Sequence, residues 1–125
     1  MAKKILIVDD SLTSRTINRI LITKRAGYEV VSAQNGKEAL KLVGSENPDL
    51  ILMDVMMPGM DGLEVCRHLR KQEKTAAIPI VLLTFQIGDE SVRDGFESGC
   101  TAYLKKPVQE AELLNTLHRY LGTQN

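Results

Sequence analysis

No charge of one sign predominates in this 125-residue sequence: sixteen lysines and arginines balance sixteen aspartates and glutamates. That balance argues against a basic surface for nucleic acid and against an acidic disordered tail. Cysteine is scarce. The two present, Cys66 and Cys100, have neither the number nor the spacing of a disulfide framework or a zinc site. They read as reduced, buried thiols of a cytoplasmic protein. Long hydrophobic runs are missing too. Ile5-Leu6-Ile7-Val8 ends at once in Asp9-Asp10, too short for the core of a secretory signal. No stretch reaches the length of a membrane span. Repeats, linkers and low-complexity segments are absent. The expectation is one soluble domain over residues 1–125, with 122–125 as a tail.

What the sequence does have is alternation. Apolar residues make up 43% and charged residues 26%, the mix of a globular domain. Short apolar runs at Ile5–Val8, Leu50–Met53 and Ile80–Leu83 have the unbroken character of strands buried on both faces. Tyr28–Val31 and Thr101–Leu104 are mixed, as edge strands are. Between them lie helical stretches. The first carries Ile17, Ile20 and Leu21 and closes at Gly27. The second is opened by Asn35 and closes near Gly44. The third places Leu63, Cys66 and Leu69 on one face. A fourth runs from Asp89 to Ser98, and a fifth is striped by Leu113, Leu114, Leu117 and Leu121. Five strands alternating with five helices predict an α/β domain with a parallel sheet in the order 2-1-3-4-5, doubly wound and flavodoxin-like.

That order locates a site. Open α/β sheets bind ligands beyond the carboxyl ends of the strands, where the winding reverses, here between the first and third strands. The first ends in Asp9-Asp10 and the third in Asp54. Three carboxylates that close repel one another unless a cation compensates. The hard cation suited to carboxylates, waters and a phosphate is Mg²⁺. Singly, Asp10 or Ser11 reads equally well as a helix N-cap; the convergence of three acids favours a site. Thr84 ends the fourth strand beside the third, and a hydroxyl there can donate to an oxyanion. Lys105-Lys106-Pro107 follows the fifth strand, roughly 10 Å from the third at ordinary spacing. A lysine stem spans much of that gap. The alternative for this segment is a solvated turn, with Pro107 opening the last helix.

Taken in order, Ile5-Leu6-Ile7-Val8-Asp9-Asp10, Asp54 within Leu52–Gly62, Thr84 after an apolar strand, and Tyr103-Leu104-Lys105-Lys106-Pro107 resemble the receiver domain of bacterial response regulators from end to end. The resemblance implies that Asp54 accepts a phosphoryl group from a sensor histidine kinase, a phosphotransfer protein or a small phosphodonor. It implies Mg²⁺, or Mn²⁺ in its place, on Asp10, Asp54 and the Met56 backbone carbonyl, with Asp9 acting partly through water. Thr84 and Lys106 would hold phosphoryl oxygens, the Lys106-Pro107 bond would be cis, and Tyr103 would be the aromatic that moves with Thr84. Such a domain assists its own modification but has no separate turnover substrate. An effector protein, or an output domain not in this chain, would read the surface of the fourth helix, fifth strand and fifth helix.

Some residues depart from the pattern. Phe85 stands where similar proteins carry a small residue, and either narrows the approach to the site or simply packs elsewhere. Met56 and Gln86, positions that tune dephosphorylation in similar proteins, are not acids, so a long-lived acyl phosphate is expected. Gly95 interrupts a helix, either as a weak point or as a required gap. Met53, Met56, Met57 and Met60 read as packing rather than a soft-metal site, and His68 and His118 as solvated. The alternative function is a Mg²⁺-dependent phosphatase-type hydrolase. An Asp-x-Asp after the first strand and an acid placed to activate water are both missing. A nucleotide- or flavin-binding fold would need a glycine-rich first turn, which is also missing.

Overall fold

The computed structural model of the chain describes residues 2–85 and 88–122. Its elements are β1 (Lys4–Val8), α1 (Leu12–Ala26), β2 (Glu29–Ala33), α2 (Gly36–Glu46), β3 (Leu50–Asp54), α3 (Gly62–Arg70), β4 (Ile80–Thr84), α4 (Asp89–Glu97), β5 (Ala102–Lys105) and α5 (Glu110–Leu121). Every strand pair is parallel, and the sheet runs β2-β1-β3-β4-β5, as the sequence predicts. β3 and β4 are buried at every position, whereas β2 and β5 at the edges are largely half-exposed.

Successive side chains of a strand point to opposite faces, so the interior strands feed two cores. Leu6, Val8, Ile51, Met53, Ile80 and Leu82 meet Val43 of α2 and Val65, Cys66 and Leu69 of α3. Ile5, Ile7, Leu50, Leu52, Val81 and Leu83 meet Ile22 of α1 and Leu113 and Leu117 of α5. Full burial of one such aliphatic side chain contributes about 2 kcal/mol. The continuous apolar runs therefore fix the three interior strands and hold their carboxyl ends side by side. Both cysteines are free and buried, and burial pushes the Cys100 thiol up to about 12.

Helix ends follow local chemistry. The side chains of Ser11, Asn35 and Asp61 accept from the backbone N–H groups of Ser14, Glu38 and Glu64, satisfying donors that the first turn of α1, α2 or α3 leaves open. Gly27 closes α1 with φ of 74°, a conformation glycine adopts without strain. The expected end of α2 near Gly44 is corrected: the helix runs through Gly44 to Glu46 and closes on Asn47 at φ 48°. Asparagine tolerates that left-handed backbone, which makes Gly44 a helix-interior residue. Pro107 does not open α5, which begins at Glu110.

The apolar spacing in α1 has a different meaning from an ordinary buried stripe. Leu12, Ile17 and Ile20 are 70%, 59% and 54% exposed. The side chains tucked in along the same half of the helix are Ser14, Arg15 and Asn18, all half-buried, and only toward the end do Ile22 and Ala26 enter the core. His68 is exposed as expected, but His118 is half-buried, its ring 6.2 Å from that of Tyr28.

At the amino-terminal ends of the strands, Arg70 ties loops together. Its guanidinium donates to the carbonyls of Gly99 (2.7 Å), Thr75 (3.2 Å), Ala76 (3.1 Å) and Ile78 (2.7 Å) and to Thr101 Oγ1 (3.2 Å). Among the described residues no helix is long and apolar enough to cross a membrane.

Candidate functional site: an acidic cleft at the carboxyl ends of the strands

The apolar run of β1 stops at Val8, and the chain turns into α1 through Asp9, Asp10 and Ser11. Asp9 is held rigidly in this turn. Its backbone N–H donates to Ala33 (3.1 Å), its Oδ1 accepts from the Ser11 N–H (2.9 Å), and its carbonyl accepts from Arg15 Nη1 (2.7 Å). Asp54 is the last residue of β3. Asp9 and Asp54 are 2% and 4% exposed, while Asp10 is exposed. One carboxylate oxygen from each of Asp9, Asp10 and Asp54 lies within 4.8 Å of the other two. The three acids that the strand order predicts at this point are therefore together.

Lys106 crosses from the end of β5 to meet them. Its Nζ donates to Asp54 Oδ1 at 2.7 Å and lies 3.6 Å from Asp9 Oδ2. Its backbone N–H donates to the Thr84 carbonyl at 2.6 Å, which fixes the end of β5 against the end of β4. The Lys106-Pro107 peptide is cis. Thr84 is buried and lines the same cleft as Asp54 and Lys106. Tyr103 sits further back on β5, opposite Leu82 of β4, and is half-buried.

One ammonium does not balance this cluster. Burial pushes the Asp54 carboxyl up to about 7; Lys106 draws it down, and the neighbouring Asp9 charge drives it up again. Burial also works to raise Asp9. Hydrogen bonds from the Ser14 side chain and the Ser11 backbone, with Asp54 and Lys106 beyond them, outweigh it and hold Asp9 below the ordinary carboxylate range. Asp9 Oδ2 is nevertheless buried without a hydrogen-bond donor among the described residues. Leaving such an oxygen unmatched is costly. The group that fits is a hard divalent cation, which takes oxygen ligands from several carboxylates at once.

The cleft, about 500 Å³, extends outward from the acids along α1 and the loops after β3, β4 and β5. Its outer wall includes Ile17, Met56 and Phe85, each more than half exposed. Phe85 does not fold away from the site: the Lys106 ammonium lies over its ring, 5.2 Å from the centroid. Gln86 lies outside the described residues. Ser14 and Arg15, which are not among the site residues the sequence predicts, also support Asp9. They lie three and four residues after the N-cap Ser11, so the first turn of α1 returns them to the acidic corner.

The model of the response regulator receiver domain family matches residues 5–118. The chain belongs to that family. This receiver domain is 43% identical over 105 residues to the transcriptional regulatory protein AfsQ1 of Streptomyces coelicolor, covering 84% of this chain but 45% of that protein. It is 38% identical over 119 residues to protein PilH of Pseudomonas aeruginosa, covering 95% of this chain and 98% of that one. Among solved structures, the receiver domain of the sensor histidine kinase PA1611 from Pseudomonas aeruginosa, with a magnesium ion coordinated in its active-site cleft, matches at a TM-score of 0.88. That match has 30% identity and covers 98% of this chain and 100% of that one. Receiver domains belong to two-component signal transduction and serve as signalling switches rather than classical enzymes.

Proposed function

We propose that this receiver domain is switched by Mg²⁺-dependent phosphorylation of Asp54. The observation that carries the reading is the crowding of negative charge: three carboxylates share a corner in which, among the described residues, Lys106 is the cation that pairs with them, and Asp9 Oδ2 is buried with no hydrogen-bond donor among those residues. Asp9, Asp10, Asp54 and the Met56 carbonyl would hold the ion. Bound there, Mg²⁺ would neutralise the acids and the equatorial oxygens of an incoming phosphoryl group.

The remaining steps belong to side chains of this chain. An Asp54 carboxylate oxygen attacks phosphorus in line as the bond to the donor's leaving group breaks. The Lys106 ammonium, already 2.7 Å from Asp54, turns to a phosphoryl oxygen as a point charge. The Thr84 hydroxyl donates to another. The phosphoryl group adds close to two negative charges, and it shifts the domain only by binding one arrangement better than the other. Thr84 and Tyr103 supply that difference, because Thr84 ends β4 and Tyr103 lies on the adjacent β5.

The donor is a sensor histidine kinase or a phosphotransfer protein. An effector, or an output domain of a longer chain, reads the α4–β5–α5 surface. Met56 is an exposed apolar side chain at the mouth, so it has no carboxylate with which to direct water, and the acyl phosphate persists. A lifetime of seconds would contradict that part. The test of the whole reading is acetyl phosphate with Mg²⁺ on the parent and on Asp54→Ala. One hydroxylamine-labile phosphoryl group per parent chain, and none on the variant, supports it. Multiple-turnover hydrolysis of added esters would point to a hydrolase instead.

A further inference from the structure

Resting on the reading of Asp54 as acceptor, the cleft also indicates what kind of donor it takes. Asp54 forms the floor, 4% exposed. In-line displacement places the leaving group opposite the attacking oxygen, hence toward the mouth. The mouth is apolar: Ile17, Met56 and Phe85 are 59%, 66% and 66% exposed, and all three line the cleft that contains Asp54. Phe85 is also held in position. Lys106 Nζ lies 5.2 Å from its ring centre and 2.7 Å from Asp54 Oδ1, so ring centre and acceptor oxygen are no more than about 8 Å apart. The cation over the ring restrains an aromatic side chain that otherwise stays open to solvent.

We propose that Phe85 is a specificity-determining residue for the phosphodonor. It gives a flat aromatic leaving group, the imidazole of a phosphorylated histidine, a wall to lie against. As the new bond forms between Asp54 Oδ and phosphorus, the phosphorus–nitrogen bond breaks. Its electron pair stays on the ring nitrogen, and an imidazole already protonated at its other nitrogen leaves neutral. Such a group gains from contact with an apolar aromatic surface. The acetate expelled from acetyl phosphate is small, charged and hydrated, and gains nothing there.

The test uses the whole chain with Mg²⁺ and compares rate constants for Asp54 labelling by phosphoimidazole and by acetyl phosphate. Taking their ratio cancels any general opening of the cleft. Phe85→Ala lowers the phosphoimidazole-to-acetyl-phosphate ratio roughly three- to tenfold, the size of an aromatic pair contact. Phe85→Leu, which keeps apolar bulk without a ring, is expected to show the lowered ratio, and Phe85→Tyr to keep the parental one. A ratio that is unchanged or raised in the alanine variant, parental in the leucine variant or lost in the tyrosine variant overturns the proposal. Absence of labelling of the parent by either donor would remove the acceptor reading itself, a different failure.

Discussion

A methyl group added at Gly95 would lie 2.6 Å from both Cδ2 and Cε2 of Tyr103. Glycine in the interior of α4 costs about 1 kcal/mol against alanine, and the ring of Tyr103 fills the space that this cost leaves open. Gly95 is itself buried. Of the two roles open to it in the sequence, weak point or required gap, the structure selects the gap.

A double-mutant cycle reads this relationship. Gly95→Ala is expected to forfeit its normal helix gain in the parent, because the ring must move. In a Tyr103→Ala background the same substitution should stabilise by about 1 kcal/mol in urea unfolding. Equal effects in the two backgrounds would mean that the residues do not constrain one another.

The acidic corner makes a prediction about metal-free protein. Burial holds the folded carboxyl of Asp54 at about 7, well above the ordinary aspartate value of 3.8. Folding therefore favours its protonated form, and its penalty grows as pH rises from about 4 to about 7, then stays constant. In EDTA, Asp54→Asn should stabilise the protein at pH 8 by about 2 kcal/mol, a discounted figure because the lost Lys106 contact offsets part of the gain. The gain should shrink toward pH 5. Chemical denaturation at the two pH values checks it, and a destabilised variant at pH 8 would contradict the charge imbalance.

Lys106→Met removes the ammonium that bridges Asp54 and Asp9. Phosphorylation by acetyl phosphate should slow by roughly tenfold or more, the worth of a charged hydrogen bond. Mg²⁺ affinity should hold or rise, since a competing cation has gone. Unchanged labelling would remove Lys106 from the site.

Arg70 serves stability at the opposite end of the sheet. Lysine cannot reproduce its forked set of bonds to four carbonyls and Thr101. Arg70→Lys should cost about 2 kcal/mol in urea unfolding while leaving the labelling rate of Asp54 unaltered. Slowed labelling in the folded variant would show coupling between the two ends.

Much of this was legible in the sequence, for identifiable reasons. Three unbroken apolar runs define interior strands, and a parallel sheet with its winding reversed between β1 and β3 brings Asp9, Asp10 and Asp54 to one place. Spacing alone does not give direction, however. Ile17 and Ile20 recur at helical intervals yet face outward, because the inner side of that half of α1 carries Ser14, Arg15 and Asn18 toward the acids. Gly44 resembles a helix stop signal, but α2 runs past it because Asn47 supplies the left-handed residue. The Phe85–Lys106 contact and the fit of Tyr103 beneath Gly95 join residues on different elements, and no local pattern encodes them.

The most direct measurement is to locate the phosphoryl group. After treatment with acetyl phosphate and Mg²⁺, borohydride reduction converts an aspartyl phosphate to homoserine, and tandem mass spectrometry identifies the altered residue. Homoserine at position 54, dependent on the metal, is the predicted result. Modification at Asp9, Asp10 or elsewhere with position 54 intact, or none at all, would contradict the account.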